Sequence, residues 1–315
     1  MTTALVVLDT AEGLRRSDRE LLVLAGGLGG THVVVPGAPA EALLDELAGH
    51  AVGTVHVPAE EPGEGLTVPA VALAEAAARD SGARVVLLGG TPEAKEVAGR
   101  LGVRLGAGVI TDVVALDADL VATKSVLAGG WTTRCRARSA VLVAALRANS
   151  VDLSGHVPAA AGRPRVRAHA VADPAPAARV VGRRALPASD RPPLAEARVV
   201  VAGGRGTGGD FGPLEELADV LGGAVGASRA AVDAGWIGHE AQIGQTGRTV
   251  SPQLYVSCGI SGAIQQRAGM QTARVIVAVN KDEQAPVFEI ADLGIVGDLR
   301  KVLPQAVEHL RKLRS

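Results

Sequence analysis

The stretch at residues 251–270, SPQLYVSCGISGAIQQRAGM, combines residue types that bind phosphate. Its apolar run at 254–258 predicts a buried strand that breaks at Gly259 and leads into a helix beginning at Ser261. A strand-to-helix turn that opens with Ser and Gly exposes backbone N–H groups at the positive end of the helix dipole. Such a turn is a site for an anion, usually phosphate. We therefore expect a phosphorylated ligand here.

Two adjacent glutamines, Gln265 and Gln266, lie one turn into the same predicted helix. A helix that only packs in a core does not need two long amide side chains at this position. Both amides can donate and accept hydrogen bonds, so they can reach polar atoms above a bound phosphate. The pair therefore favours a binding pocket over plain core packing.

A glycine-rich loop, GGRGTGG at residues 203–209, follows one predicted strand and precedes a helix. It contains G-x-G-x-x-G at Gly204, Gly206 and Gly209, the dinucleotide fingerprint in its required context. No acidic residue ends a strand about 20 positions later, where NAD-binding folds contact the ribose. Arg205 adds a guanidinium that can clamp a phosphate. A tight glycine turn with a solvated arginine explains the same residues.

Polar residues also follow other predicted strands. Ser228 and Arg229 offer a hydroxyl and a fixed charge, although a helix N-cap serine beside a surface arginine explains the pair as well. Residues 243–246, IGQT, form either a plain connection or the wall of a pocket. Asn280 ends another strand, and Asp298 lies in the turn before the last helix. Because parallel strands end at one edge of a sheet, where open α/β sheets bind ligands, these clusters should meet in one pocket.

Catalytic and metal-binding patterns are not evident in the sequence. The seven histidines and two cysteines do not stand at metal-ligand spacing to one another or to a carboxylate, so we expect no metal site. There is no G-x-S-x-G, no Walker A loop and no convincing acid/base pair, and we therefore assign no catalytic residue. A binding pocket without a catalytic group predicts a carrier rather than an enzyme.

Composition excludes several classes of partner. The chain has 315 residues, a formal net charge of −1 and only 2% aromatic residues, so neither phosphate tracking nor base stacking on nucleic acid is indicated. The N-terminal sequence lacks a signal-peptide pattern, and the apolar stretches have strand length. We expect a soluble cytoplasmic protein with two reduced cysteines.

Strand and helix patterns alternate up to about residue 101, which predicts a parallel sheet with helices on both faces. Four strand patterns then follow one another and are expected to add antiparallel strands at one edge: 109–116, 120–125, 132–136 and 140–147. A Pro/Ala/Arg-rich stretch at 150–197 predicts a linker that holds at most one short strand. The alternation restarts at 197 and ends with a strand at 288–291 and a basic helix. We expect an α/β protein with two doubly wound, Rossmann-like domains, at 1–190 and 191–315.

Four segments of the second domain together resemble the alpha subunit of electron transfer flavoprotein. They are GGRG at 203–206, AVGASRAAVDAGW at 224–236, QIGQTGRTVSPQLYVSCGISGAIQ at 242–265 and VNKDEQAPVFEIADLGIVGDL at 279–299. The resemblance covers almost the whole C-terminal domain, and the ordered set of motifs is highly specific. The N-terminal domain agrees in architecture but is less diagnostic.

The resemblance implies a heterodimer with a beta subunit that contacts the N-terminal domain, one FAD in the alpha C-terminal domain and an AMP in beta. It also implies roles for residues in this chain. Arg205, Ser228 and Asn280 are expected near the FAD phosphates and ribose, and Asp298 near the adenine. The diphosphate and ribityl chain are expected beside Ser261, Gly262, Ala263, Ile264 and Gln265. The isoalloxazine is expected beside Ile243, Gly244, Gln245 and Thr246, with Arg229 over the ring.

One position departs from the family pattern, because the residue that is often His in these proteins is Gln266 here. A histidine can donate to the flavin C2=O and can carry charge, whereas Gln266 can donate but never becomes cationic. The departure affects the flavin potential rather than the binding.

The implied function is electron transfer. The protein would accept electrons from flavin dehydrogenases, such as the acyl-CoA dehydrogenases of fatty acid beta-oxidation, and pass them to a membrane quinone oxidoreductase. Two alternatives remain: an electron-bifurcating variant with a second FAD in the beta subunit, and an NAD-dependent oxidoreductase that uses the GGRGTGG loop.

Overall fold

The structure, a computed structural model, describes residues 2–61, 63–127, 129–154, 162–171, 178–182 and 190–314. The chain forms two compact units, one of residues 1–125 and 132–186, the other of 126–131 and 187–315. Much of the predicted linker, at 155–161, 172–177 and 183–189, lies outside the described residues. None of the described helices has the length and apolar character that a membrane crossing requires.

The first unit is built on a sheet whose described strands follow the order β7-β6-β5-β8-β4-β1-β2-β3-β9. Its central strands pair in parallel, from β5 through β8, β4, β1, β2 and β3 to β9. The strands are β1 (Thr2–Val7), β2 (Gly29–Val34), β3 (Val52–Pro58), β4 (Val85–Leu88), β5 (Gly108–Leu116), β6 (Val121–Val126), β7 (Trp131–Arg136), β8 (Leu142–Leu146) and β9 (Arg165–His169).

Helices cover both faces of this sheet. The helices α1 (Arg16–Leu28) and α2 (Glu41–Gly49) pack through buried leucines into one core, and α3 (Val68–Ser81) and α4 (Pro92–Leu105) into the other. The alternation of strand and helix produces this doubly wound arrangement because each amphipathic helix buries its apolar side against the sheet.

The expectation of four antiparallel edge strands is wrong for the first and the last of them, β5 and β8, which pair with each other in parallel. Strand β6 does run antiparallel to β5, but β8 lies between β4 and β5 and pairs in parallel with both. All five residues of β8 are buried, and a strand covered on both faces belongs in the interior of a parallel sheet. A second finding concerns the predicted linker, since β9 lies within it and adds an edge strand in parallel to β3.

The second unit carries a parallel sheet with the order β11-β10-β12-β13-β14. Apolar residues of α5 and α8 cover one face, and the segment between β11 and β13 covers the other. The strands are β10 (Val199–Gly203), β11 (Ala224–Ala227), β12 (Leu254–Cys258), β13 (Val275–Asn280) and β14 (Leu293–Val296), and the helices are α5 (Gly212–Leu221), α6 (Arg229–Asp233), α7 (Ile264–Arg267) and α8 (Leu299–Arg314). The predicted α/β class with two parallel, Rossmann-like sheets is thus confirmed.

The strand predicted at 288–291 is misplaced. Residues Pro286–Ile290 form a 3-10 turn, and the strand follows as Leu293–Val296. Proline at the first position of a helical turn loses no hydrogen bond and fixes a helical φ, so Pro286 favours the turn. The sheet order places a topological switch point between β10 and β12, since the chain leaves β10 to one side and returns on the other.

We predict that the two cysteines differ sharply in reactivity. Cys258 is completely buried at the end of β12, and this burial raises the pKa of its thiol to about 12. The thiolate is the reactive form, so it is negligible for Cys258 at pH 8, whereas Cys135 is partly exposed on β7. A thiol reagent should modify Cys135 quickly in the native protein and Cys258 only after unfolding.

Mass spectrometry of the labelled protein measures this difference. The variant Cys135→Ser should lose the fast reaction and keep the slow one. Equal labelling rates for both thiols in the native chain would contradict the assignment.

Candidate functional site

The loops that follow β10 and β12 interlock at the switch point. The N–H of Gly204 donates to the carbonyl of Cys258 at 3.0 Å, and the N–H of Gly206 donates to that of Gly259 at 3.0 Å. A Cβ on Gly206 would lie 2.6 Å from the Cα of Gly259, so the two backbones touch with no space for side chains. Glycine is therefore required here for close approach of two chains.

This contact changes the meaning of the G-x-G-x-x-G pattern. Two of its glycines serve the neighbouring loop, and a 3-10 turn at Arg205–Thr207 follows instead of a helix. The helix α5 begins only at Gly212, after the third glycine. In the dinucleotide fingerprint the glycines open the helix whose N-terminus meets the pyrophosphate. The geometry therefore does not favour the NAD interpretation of this loop.

Arg205 is exposed on this loop, and hydrogen bonds from other residues hold the backbone of the loop. The buried Thr207 donates its hydroxyl to the carbonyl of Gly204 at 2.9 Å. Arg300, from the first turn of α8, donates to the carbonyl of Thr207 at 3.3 Å. The backbone is thus held by its own contacts, and the side chain of Arg205 is exposed.

Ser228 and Arg229 begin the short helix α6 directly after β11. Ser228 is buried and occupies the N-cap position, but its side chain makes no capping bond; its N–H donates to the carbonyl of Gly203 at 2.9 Å. Arg229 faces solvent and pairs with Asp233 at 3.3 Å, with both side chains more than 60% exposed. An exposed pair of this kind contributes little to stability. The N-cap interpretation explains the position of Ser228 but gives no structural task to Arg229.

The IGQT loop rests on the loop that follows β12. Ile243 is buried and its N–H donates to the carbonyl of Ala227, while the N–H of Gln245 donates to that of Gln265 at 2.8 Å. Gly244 has a φ of +144°, and a Cβ there would lie 3.0 Å from the same carbonyl of Gln265. Only the side chains of Gln245 and Thr246 are exposed, so the loop is a wall with two polar groups on its outer face.

Gln242 is a residue that the sequence analysis did not single out. Its side chain is 3% exposed and donates from Nε2 to the hydroxyl oxygen of Thr246 at 3.0 Å. Because that bond uses the oxygen of Thr246 as acceptor, the Thr246 proton stays free to donate outward. The sequence signal that could have indicated this role is a glutamine directly before the polar IGQT segment.

The helix expected from Ser261 is much shorter than predicted. It begins at Ile264 and spans four residues, and Gly262, with a φ of +85°, turns the chain before it. One helical turn has only a small dipole, so the phosphate site predicted on a helix N-terminus is not formed as such. The carbonyl of Ser261 accepts from the N–H of Val287, and Ser261, Ala263, Ile264 and Gln265 are exposed on the loop.

Arg267 holds this loop from its inner side. Its Nε donates to the carbonyl of Gly262 at 2.7 Å, and Nη2 donates to the carbonyl of Pro286 at 2.6 Å. Nη2 also pairs with Glu289 at 2.8 Å. Arg267 was not among the predicted site residues, although a single arginine that follows a polar loop can hold that loop in place. Arg267 fixes the loop after β12 to the 3-10 turn before β14.

Gln266 does not join the exposed residues. It is 9% exposed, and its Nε2 donates to the hydroxyl of the completely buried Tyr255 at 3.0 Å. Burial also raises the pKa of Tyr255, which keeps that phenol neutral. The structure therefore separates the two adjacent glutamines, with Gln265 on the surface of the loop and Gln266 in the core. The Nε2 group of Gln266 is thus used within the core, and a contact of its side chain with a ligand stays a prediction.

Asn280 and Asp298 make structural contacts at the same edge. The amide of Asn280 donates to the carbonyl of Ile260 at 3.0 Å and accepts from the N–H of Asp282 at 3.1 Å, so it ties β13 to the loop after β12. Asp298 is exposed and accepts from the N–H of Arg300 at 3.0 Å, which caps the first turn of α8.

The exposed polar side chains among the predicted site residues that follow β11, β10 and β12 lie at one edge of the sheet. They are two guanidinium groups, two hydroxyls and two amides, and Asp233 pairs with one of the guanidinium groups. Such a surface suits an anionic ligand with a polar heteroaromatic part, because the cations match phosphate and the amides match ring carbonyl and nitrogen atoms. The set consists of Arg205, Arg229, Gln245, Thr246, Ser261 and Gln265.

We predict that an added methyl group at Gly259 disrupts the interlocked loops. Gly259 has a φ of +62°, and a Cβ there would lie 2.7 Å from the Cα of Gly206. Gly222 has nearly the same φ, +64°, but open space around it. Both Ala variants carry the left-handed strain of about 1–2 kcal/mol, and only Gly259→Ala adds an overpacking cost of about 1–3 kcal/mol.

Urea unfolding of the two variants measures the difference in unfolding free energy. Equal destabilisation by Gly259→Ala and Gly222→Ala would contradict a direct contact between the loops.

We also predict an asymmetry at the buried pair of Tyr255 and Gln266. Tyr255→Phe leaves the Gln266 amide buried without its acceptor, which should destabilise the fold by about 1–3 kcal/mol. The double variant Tyr255→Phe/Gln266→Leu removes both partners and should recover most of that loss. Thermal unfolding of the single and double variants provides the test, and a double variant less stable than Tyr255→Phe would refute the buried bond.

Two families of known proteins match this chain. Residues 193–271 match the family described as the electron transfer flavoprotein FAD-binding domain, and residues 4–174 match the electron transfer flavoprotein domain. Asn280 and Asp298 lie beyond the first of these matches.

Proteins of similar sequence align with almost the whole chain. An electron transfer flavoprotein subunit alpha of Mycobacterium leprae is 43% identical and one of Mycobacterium tuberculosis H37Rv 45% identical, each over 99% of both chains. A subunit alpha of Paracoccus denitrificans is 44% identical over 88% of this chain and 89% of its own. The sequence, the two sheets and these matches agree: the chain belongs to the electron transfer flavoprotein alpha-subunit family.

Proposed function

We propose that this chain binds one FAD at the switch point of its second unit and acts as an electron carrier together with a beta subunit. The observation that supports this most directly is the interlocked glycine loops of β10 and β12, which bring polar side chains from three strand ends to one edge. The match of residues 193–271 to a family described as FAD-binding supports the choice of flavin.

The residues present fit an FAD in chemical terms. The diphosphate carries negative charge, and Arg205 and Ser261 offer a guanidinium and a hydroxyl on adjacent loops. Gly262, Ala263 and Ile264 would place backbone groups beside the diphosphate and ribityl chain, and Gln265 would add its amide. Bound FAD would supply the redox chemistry, while the protein supplies position and charge.

The isoalloxazine is assigned to the loop of Gln245 and Thr246. Thr246 accepts from Gln242, so its hydroxyl proton would be available to donate to a ring acceptor. Ile243 and Gly244 would shape this wall rather than bond the ring, since Ile243 is buried and Gly244 lies against Gln265. Arg229, free of any strong structural bond, would approach the ring with its positive charge.

The remaining predicted residues would contact the outer parts of the FAD or would position the loops that contact it. Ser228 has a hydroxyl unused by the helix cap, which suits a phosphate oxygen. Asn280 and Asp298 would contact the ribose and the adenine only in addition to their present bonds. Gln266 would position the loop through Tyr255 and so affect the flavin indirectly.

Partners are inferred from the family. The beta subunit would contact the N-terminal domain, at residues 1–190, and carry an AMP, while residues 191–315 hold the FAD. Flavin dehydrogenases, such as those of fatty acid beta-oxidation, would donate electrons, and a membrane quinone oxidoreductase would accept them. The carrier would work in the cytoplasm and transform no substrate of its own.

Co-expression with a beta subunit and a flavin count test this function. One FAD per heterodimer, a flavin absorption spectrum and no NADH turnover are the expected results. Two FAD per heterodimer would instead support the bifurcating alternative, and NADH oxidation without flavin would support the dehydrogenase. A purified heterodimer without any flavin would refute the proposal.

We predict that Arg229→Ala lowers the flavin midpoint potential without abolishing FAD binding. Reduction adds negative charge to the ring, and a nearby permanent cation in a partly desolvated site stabilises that charge. A spectroscopic redox titration measures the potential.

The matched control is Arg274→Ala. Arg274 is also exposed but directly precedes β13, at the opposite, amino-terminal edge of the same sheet. The potential of Arg274→Ala should equal that of the parent protein. If Arg229→Ala also leaves the potential unchanged, Arg229 does not approach the ring.

A further inference from the structure

Three histidines and an aspartate meet on one face of the sheet in the first unit. His32 lies on β2, His56 on β3 and His169 on β9, and Asp80 comes from the last turn of α3. Strand β9 pairs in parallel with β3, which brings His169 beside a residue 113 positions earlier. The separation in sequence explains why no ligand spacing is visible in the primary structure.

The imidazole nitrogens form a continuous row. His32 Nδ1 lies 2.9 Å from His56 Nε2, and His56 Nδ1 lies 2.8 Å from His169 Nε2. The Oδ2 of Asp80 is 4.0 Å from the same Nδ1 of His56. The donor atoms of His56, Asp80 and His169 all lie within 4.8 Å of one another. Ligand atoms in a tetrahedral zinc site are about 3.3 Å apart, so each of these distances would change by at most about 1.5 Å on metal binding, the 2.8 Å contact by lengthening and the longer ones by shortening.

Neighbouring side chains orient His56, His169 and Asp80 in the way that hydrogen-bond partners orient metal ligands. If His56 donates its Nε2–H to His32 Nδ1, its Nδ1 carries a lone pair that faces His169 and Asp80. The carboxylate is also oriented, because Arg167 Nη2 contacts Oδ1 at 2.6 Å and leaves Oδ2 toward the histidines. Metal-bound histidines and carboxylates are typically held by such second hydrogen bonds.

Burial agrees with ligand function. His56 is completely buried. A buried imidazole needs partners for both ring nitrogens, and His32 satisfies Nε2 while a metal ion would satisfy Nδ1.

We propose that His56, His169 and Asp80 bind a divalent transition-metal ion, best matched by Zn²⁺, with water as the fourth ligand. Two imidazole nitrogens with one carboxylate oxygen suit Zn²⁺ far better than Mg²⁺ or Ca²⁺, which prefer oxygen ligands. The bound ion would join the edge strand β9 to β3 and α3 and so stabilise this side of the first unit.

Zinc titration of the metal-stripped full chain tests the site by calorimetry. We expect one Zn²⁺ per chain at this site, and a loss in affinity of at least about ten-fold in His169→Gln and in Asp80→Asn. The matched control is His309→Gln, which removes an exposed histidine of α8 and should leave the affinity unchanged.

Co²⁺ absorption provides a readout that needs no variant. Intense visible bands typical of tetrahedral coordination should appear in the parent chain and disappear in Asp80→Asn. Zn²⁺ should also raise the melting temperature of the parent chain more than that of His169→Gln, because a ligand that binds only the native state stabilises it. Equal zinc affinity in the parent, His169→Gln and Asp80→Asn would overturn the proposal, as would the absence of zinc binding and of the Co²⁺ bands in the parent chain.

Discussion

The contact between the backbone at Gly206 and Gly259 is the constraint on which the candidate site depends. At this point two loops from adjacent parallel strands meet with no side chain between them, and two N–H groups of the loop after β10 donate to carbonyls at the end of β12 and in the loop that follows it. Because the loops are rigid where they cross, the side chains that follow them have defined positions. Arg205 lies on one of these loops and Ser261 on the other, so the contact positions both residues.

The same principle extends outward through a series of backbone contacts. Gln245 is bonded through its N–H to the carbonyl of Gln265, and Arg267 and Asn280 fasten the loop after β12 from behind. Arg267 and Asn280 are partly buried, whereas Arg205, Arg229, Thr246 and Ser261, which carry two charges and two hydroxyls, are exposed. A binding surface on rigid sheet edges is well suited to a carrier, because the ligand is held without large rearrangement of the protein.

The first unit uses its sheet differently. Its edge strand β9 brings His169 to His56, and α3 adds Asp80. A polar cluster therefore forms at the β3–β9 edge of the sheet. Buried imidazoles need hydrogen-bond partners, and the row of histidines supplies them across three strands. The two units thus share an architecture but gather polar residues in different ways, at loops in one and on a sheet face in the other.

The sequence by itself determined the α/β class, the two parallel sheets and the loops that carry the candidate site, because periodicity and glycine placement act locally. It did not determine that β8 lies inside the sheet, that Gln266 faces Tyr255 while Gln265 stays exposed, or that α7 is a single turn. It also did not reveal the cluster of His56, Asp80 and His169. Those features depend on which distant segments pack together, and only the tertiary structure decides such contacts, since burial and pairing energies are set by neighbours far away in the chain.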